Sequence, residues 1–147
     1  LTLYLDASAL VKLYVFEEHS AAVAALAKRP DVTFALNGLH ELEVRNAVRR
    51  LAFRGALGRE VQMRALAAFD ADLATDLYRP QRLDFGKLAN AGERLSAVAT
   101  IQTGARALDI LHVAAARLAA CAAFATFDNR QCELARVAGL SIFEIAN

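Results

Sequence analysis

A short apolar run, Thr2-Leu3-Tyr4-Leu5, stops abruptly at an acid, Asp6, and passes into the small residues Ala7 and Ser8. Aromatic and β-branched residues in an unbroken apolar run of this length read as a buried strand. The aspartate falls where that strand should end, and the hydroxyl of Ser8 is placed to cap a following helix. The same pattern returns far downstream, where Ala122-Ala123-Phe124-Ala125-Thr126-Phe127 leads into Asp128. In open α/β sheets, ligands bind outside the carboxyl ends of the strands. Two acids delivered there by separate strands can hold one metal ion jointly, so the chain reads as an acidic, metal-binding α/β domain.

Strand and helix patterns alternate along the rest of the 147 residues. After a strand over 2–6, a helical stretch runs from Ser8 past Tyr14, and a second helix covers about 18–28. The run Val32-Thr33-Phe34-Ala35-Leu36 reads as another strand. Asn37-Gly38 then opens a helix to about Arg54, where Gly55 and Gly58 interrupt it. A helix over about 59–75 follows, and 77–83, broken by Pro80, is irregular or a short strand. Helices over about 86–103 and 107–120 are divided by Gly104. A strand over 122–127, a helix over 129–138 and a strand over 140–145 after Gly139 complete the order. No proline-rich linker, low-complexity tract or internal repeat interrupts it. Residues 1–147 are therefore expected to form one α/β domain, with a mostly parallel central sheet of four to five strands flanked by helices.

Apolar residues make up 56% of the chain, enough for a substantial core at this length. No stretch is long and apolar enough to span a bilayer. No basic-then-apolar leader marks the chain for export, and a start at Leu1 rather than Met suggests a trimmed N-terminus. Cys121 and Cys132 are the only cysteines. Without CxxC spacing or neighbouring histidines, they read as idle thiols rather than zinc ligands. A cytoplasmic protein with no membrane attachment is the expectation.

Net charge is only +1, but its distribution is uneven: arginine outnumbers lysine fourteen to three. Six arginines (Arg45, Arg49, Arg50, Arg54, Arg59 and Arg64) fall within twenty residues that hold a single acid, Glu60. The planar donor fork of guanidinium suits phosphate. A basic segment in an otherwise acid-marked chain suggests a nucleic-acid backbone approaching a metal site. A solvated helix face is the competing explanation.

Asp6 and Asp128 are also good helix N-cap residues, although capping alone does not account for both following apolar strands. Asp109 lies in Leu108-Asp109-Ile110-Leu111-His112-Val113-Ala114, an almost wholly apolar helical stretch, where an unpaired carboxylate is costly to bury and a cation offsets the cost. A fourth acid is chosen from Glu41 and Glu43 by helical spacing. Glu41 has Arg45 at i+4 and Arg49 at i+8, the order of a solvated ion-pair face. Glu43 has Ala47 and Leu51 at those positions and borders the apolar stripe, with Asn46 at i+3 to steady it. Glu43 is thus the inward acid. Asp70, Asp72, Asp76, Asp84 and Glu93 read as surface. His112 lies one turn beyond Asp109 and reads as a satisfied core or supporting histidine, while His19 and His40 carry no signal.

These residues resemble the PIN-domain family, specifically its VapC toxin type, along essentially the whole chain. The matching stretches are Leu5-Asp6-Ala7-Ser8-Ala9-Leu10-Val11-Lys12, Glu43-Val44-Arg45-Asn46-Ala47, Leu108-Asp109-Ile110-Leu111-His112-Val113-Ala114-Ala115-Ala116 and Ala125-Thr126-Phe127-Asp128-Asn129-Arg130-Gln131. The resemblance implies a ribonuclease whose clustered acids bind Mg²⁺ or Mn²⁺. Carried over by motif, Asp6, Glu43, Asp109 and Asp128 form the acidic set, with Thr126 as its neighbouring hydroxyl. Some PIN domains carry a further acid just after the last aspartate; here Asn129, Arg130 and Gln131 stand in its place. The resemblance also implies a small VapB-like antitoxin partner and a homodimer.

Oxygen ligands suit Mg²⁺ and Mn²⁺, and Mg²⁺ keeps several waters beside one or two carboxylates. On this basis Asp6 and Asp109 are the expected direct ligands, Asp128 a direct or water-mediated one, and Glu43 the group that orients or deprotonates the attacking water. Ser8, Asn46 and Thr126 support the acids. Arg45, Arg49 and Arg50, with Lys12 and Arg130, are expected phosphate contacts. A receiver-like phosphoacceptor domain also gathers acids at strand ends, but it needs adjacent acids after the first strand and a late lysine; the last lysine here is Lys87. A PIN fold used only to bind RNA or protein is the alternative.

Overall fold

The computed structural model describes residues 1–146. The chain runs β1 (Thr2–Leu5), α1 (Ala7–Val11), α2 (Ser20–Ala27), β2 (Thr33–Leu36), α3 (Gly38–Phe53), α4 (Arg59–Asp72), β3 (Tyr78–Pro80), α5 (Phe85–Thr103), α6 (Ala107–Leu118), β4 (Ala123–Ala125) and α7 (Asn129–Val137). The four strands lie in the order β3-β2-β1-β4 and every pair is parallel. Pro80 sits in β3, an edge strand, which is where a residue without an N–H is tolerated.

Side-chain alternation along the strands divides the interior in two. Leu3, Leu5, Phe34, Leu36, Ala123 and Ala125 face a core shared with α1 to α4, where Leu10, Val23, Val44, Val48 and Phe69 are buried. Tyr4, Ala35 and Phe124 face the opposite side, against Leu88, Leu95, Val113 and Leu134 of α5, α6 and α7. A sheet buried on both faces has no polar side to show, which explains its unbroken apolar strands.

The expected strand over 140–145 is reduced to a single bridge between Ile142 and Phe124. In a parallel ladder the N–H and C=O of one residue point to the same side. Three-residue β4 therefore offers only Phe124 to its outer neighbour. Both of its groups are taken, Phe124 N donating to Ser141 O at 2.8 Å and Phe143 N donating to Phe124 O at 2.8 Å. The first helix is also shorter than read from the sequence, ending at Val11 and giving way to turns through Tyr14.

The topology fixes where a ligand site belongs. From β1 the chain steps outward through β2 and β3, then crosses back to place β4 on the other side of β1. The order reverses between β1 and β4, and the crevice outside their carboxyl ends is the switch point of an open α/β sheet. Asp6 leaves β1 there, its N–H continuing the ladder to Ala125 O at 3.1 Å.

Candidate active site at the sheet's switch point

Asp6 is buried at 5% exposure. It caps α1, and its two oxygens are used differently. Oδ1 accepts from Ala9 N and from Ser8 Oγ, each at 2.8 Å, while Oδ2 accepts from the Thr126 hydroxyl. Thr126 in turn accepts from Asp128 N at 3.0 Å. One hydroxyl therefore ties the end of β1 to the loop leaving β4. Asp128 caps α7 by accepting from Arg130 N at 2.8 Å, and it is exposed at the end of the loop leaving β4. Capping and display at the sheet edge prove compatible: a cap uses one carboxylate oxygen and leaves the group at the strand's end.

Asp109 reaches the same region from the first turn of α6. The apolar surroundings of its sequence suggest a buried acid, but the side chain is half-buried, because Leu108 before it is 40% exposed and only Ile110 after it faces the core. Its Oδ2 accepts from Arg106 N at 3.4 Å, and its Oδ1 from Gln131 Nε2 at 3.2 Å. Gln131 extends from α7, the helix that Asp128 caps. The other amide atom of Gln131, Oε1, is buried with no hydrogen-bond partner.

Glu43 projects from α3. Asn46, expected to steady it, is exposed instead, and the partner of Glu43 is His112, whose Nε2 donates to Oε2. Glu43, Ser8, Asn46, Arg50 and Leu108 line a groove of about 520 Å³ that runs beside the residues holding Asp6 and Asp109. Glu41 pairs with Arg45 at 2.9 Å in the expected i, i+4 geometry.

No lysine or arginine among the described residues pairs with Asp6, Asp109, Asp128 or Glu43. A carboxylate as buried as Asp6, with hydrogen bonds but no cationic partner, is electrostatically incomplete. The described residues contain no group of three or more His, Cys, Asp or Glu arranged to hold a metal ion as it stands. The donor chemistry nevertheless fits a hard cation: carboxylate and hydroxyl oxygens, the unpartnered Gln131 Oε1 nearby, and no thiolate or free imidazole.

The basic residues separate into two kinds. Arg45 is engaged by Glu41 and by Asp70 at 2.8 Å, and its guanidinium lies 5.3 Å from the Phe69 ring centroid. Lys12 pairs with Glu17 at 3.2 Å and sits over Phe127. Arg49, Arg50 and Arg130 are exposed and make no ion pair among the described residues, and Arg50 lines the groove.

His112 is the buried supporting histidine expected from the sequence, but the polar residues behind it were missed. His40, Asn37, Tyr4 and His112 are almost wholly buried. His40 accepts from Asn37 N at 3.2 Å through Nδ1 and donates to Leu5 O at 2.9 Å through Nε2, which fixes it as a neutral ring. Burial pushes its pKa down to about 3. The available signal was Tyr4: a tyrosine in a central strand buried on both faces must find a partner for its hydroxyl.

A model of the PIN domain matches residues 3–138. No curated protein sequence matches the chain. Among solved structures, VapC20 of Mycobacterium tuberculosis, described as a sarcin–ricin loop cleaving toxin, superposes with a TM-score of 0.67 at 18% identity, covering 94% of this chain and 95% of that one. VapBC2 of Rickettsia felis, solved bound to a DNA fragment from its promoter, gives 0.65 at 16% identity over 99% and 100% of the two chains. FitAcB of Neisseria gonorrhoeae gives 0.61 at 17% identity over 97% and 96%.

Proposed function

Because the chain belongs to the PIN-domain family, we propose that it is a metal-dependent endoribonuclease of the VapC toxin type, hydrolysing RNA phosphodiester bonds at Asp6, Glu43, Asp109 and Asp128. The observation that supports this reading is the link from the buried Asp6 carboxylate through the Thr126 hydroxyl to the Asp128 amide at the switch point, with no lysine or arginine paired to either acid among the described residues. VapC20, of the same fold, is a toxin that cleaves the sarcin–ricin loop.

Asp6, Asp109 and Asp128 would hold Mg²⁺ or Mn²⁺. The bound cation supplies charge to stabilise the phosphate and lowers the pKa of a water. Glu43 takes the proton from the attacking water and orients it. Ser8 and Thr126 hold Asp6 in a single rotamer, so that its position does not depend on the substrate. Asn46 and Arg50 line the groove beside Glu43, where Arg50 receives the RNA backbone. Arg49 and Arg130 add further phosphate contacts, as does Lys12 once released from Glu17. Arg45 serves α3 and α4 as an ion-pair hub instead. A VapB-like antitoxin, a homodimer and a cytoplasmic location complete the reading. No helix among the described residues is long and apolar enough to cross a membrane.

Purified protein incubated with total RNA and Mg²⁺, Mn²⁺ or excess chelator, beside Asp109→Asn, tests the proposal. A few discrete fragments that need both metal and Asp109 support it. Tight RNA binding without cleavage by folded, antitoxin-free protein would favour a PIN fold that only binds.

A further inference from the structure

Behind Glu43 a line of hydrogen bonds, buried at its centre and part-buried at its ends, runs back through the sheet, and donor chemistry fixes its direction. Gln81 Nε2 donates to Ala115 O at 2.9 Å, which leaves Gln81 Oε1 to accept from Asn37 Nδ2 at 3.0 Å. Asn37 cannot be turned around, because its Oδ1 already accepts from Leu39 N and His40 N, at 3.0 and 3.3 Å. Its Nδ2 therefore also donates to the Tyr4 oxygen, at 3.0 Å. Burial pushes the Tyr4 phenol far above its ordinary pKa, so it keeps its proton and can donate. The remaining contact of that hydroxyl is His112 Nδ1, at 2.7 Å. A ring accepting at Nδ1 carries its hydrogen on Nε2. That nitrogen faces the Glu43 carboxylate.

Every member of this chain thus has one role, and the last role falls on a residue of the proposed active site. His112 is buried at 2% exposure, and Tyr4 at 0%. Glu43 comes from the helices on one face of the sheet and His112 from those on the other, so their contact closes over the sheet's end. Resting on the nuclease reading above, we propose that His112, held in its Nε2–H tautomer by Tyr4 and Asn37, is the positioning residue for Glu43: it occupies Oε2 and leaves Oε1 as the oxygen that takes the proton from water. Without it the carboxylate rotates, and neither oxygen is presented consistently. Partners that orient the ligands of metal sites typically contribute about 10- to 100-fold, and a similar loss here is part of the roughly 100- to 10,000-fold that general acid–base catalysis supplies.

The test compares wild type, Tyr4→Phe, His112→Gln and His112→Leu, all checked for folding by circular dichroism, in metal-dependent RNA cleavage and in long-range ¹H–¹⁵N spectra of the imidazoles. The expected kcat falls about tenfold in Tyr4→Phe and about 100-fold in His112→Leu, with KM unchanged. His112→Gln, whose amide can still donate to Glu43, recovers much of the loss. In wild type His112 is a pure Nε2–H tautomer, and Tyr4→Phe turns it into a mixture. Wild-type kcat in Tyr4→Phe and His112→Leu, while wild type cleaves, overturns the positioning role and leaves the nuclease standing. So does a loss that His112→Gln fails to recover. A folded wild type that cleaves nothing removes the nuclease reading and the inference with it.

Discussion

The Thr126 hydroxyl donates to Oδ2 of Asp6, joining the loop after the last sheet strand to the end of the first. Thr126 also receives the Asp128 amide at 3.0 Å. Replacing it with valine keeps the shape and leaves a buried carboxylate oxygen and an N–H without partners. Such losses cost about 1–3 kcal/mol. Urea unfolding of Thr126→Val is expected to register that cost together with reduced cleavage, whereas Thr126→Ser, which keeps the hydroxyl, stays near wild type in both. Equal behaviour of the two variants would show that the hydroxyl is dispensable.

Carboxylates left without cationic partners should gain from a divalent ion. Ligand at about 100 times its Kd stabilises the native state by about 2.7 kcal/mol. For a domain of this size that raises Tm by several degrees, at roughly 2–4 °C per kcal/mol. Wild type heated with Mn²⁺ should show this rise, and Asp109→Asn should lose it along with cleavage. An identical rise in the variant would place the ion elsewhere.

Arg45 and Arg50 lie on one helix yet should fail differently. Arg50→Ala is expected to raise KM for RNA and lower the salt dependence of binding by about one unit of slope, with kcat little changed. Arg45→Ala loses two partly exposed ion pairs, which are worth no more than about 1 kcal/mol each. It should shift the urea midpoint slightly and leave KM alone. The reverse pattern would move the RNA path to the other side of α3.

His40 makes stability depend on pH. Its folded pKa is depressed to about 3 by burial, and by the neighbouring His112, from the ordinary histidine value of 6.5. The unfolded chain therefore binds the proton first as pH falls. The contribution is fully present above about pH 6.5 and drains away between there and pH 3, at up to about 1.4 kcal/mol per unit. Urea midpoints measured from pH 7 to 4 should fall more steeply for wild type than for His40→Gln. Parallel slopes would mean that His40 becomes protonated within the folded protein.

Much of this arrangement was legible because it depends on local pattern. Leu3, Leu5, Phe34 and Phe124 announce buried strands by composition, and Asn37 and Asp128 mark helix starts by their capping chemistry. Asp84, read as a surface acid, also caps a helix, α5. The i+4 pairing of Glu41 with Arg45, read from spacing, is present in the fold. What escaped depends on contacts distant in sequence. The support of Glu43 comes from His112 rather than its neighbour Asn46, because α6 crosses the sheet's end there. No periodicity marks a lone histidine whose partners are a tyrosine on β1 and an acid on α3. The segment after Gly139 carries strand-like residues, but β4 is too short to offer it more than one residue to pair with.

Strand order also dictates when this site can come into being. Asp6 and Glu43 are made early, yet the buried oxygen of Asp6 waits for Thr126, and Asp109 waits for Gln131. While the ribosome is still extending the polypeptide, β1 has β2 beside it and an open flank where β4 belongs. A nascent chain of a hundred residues holds some of the acids and none of the closure. If the finished protein cuts RNA, its own message and the ribosome translating it are spared until Thr126 and Gln131 have been made and folded into place.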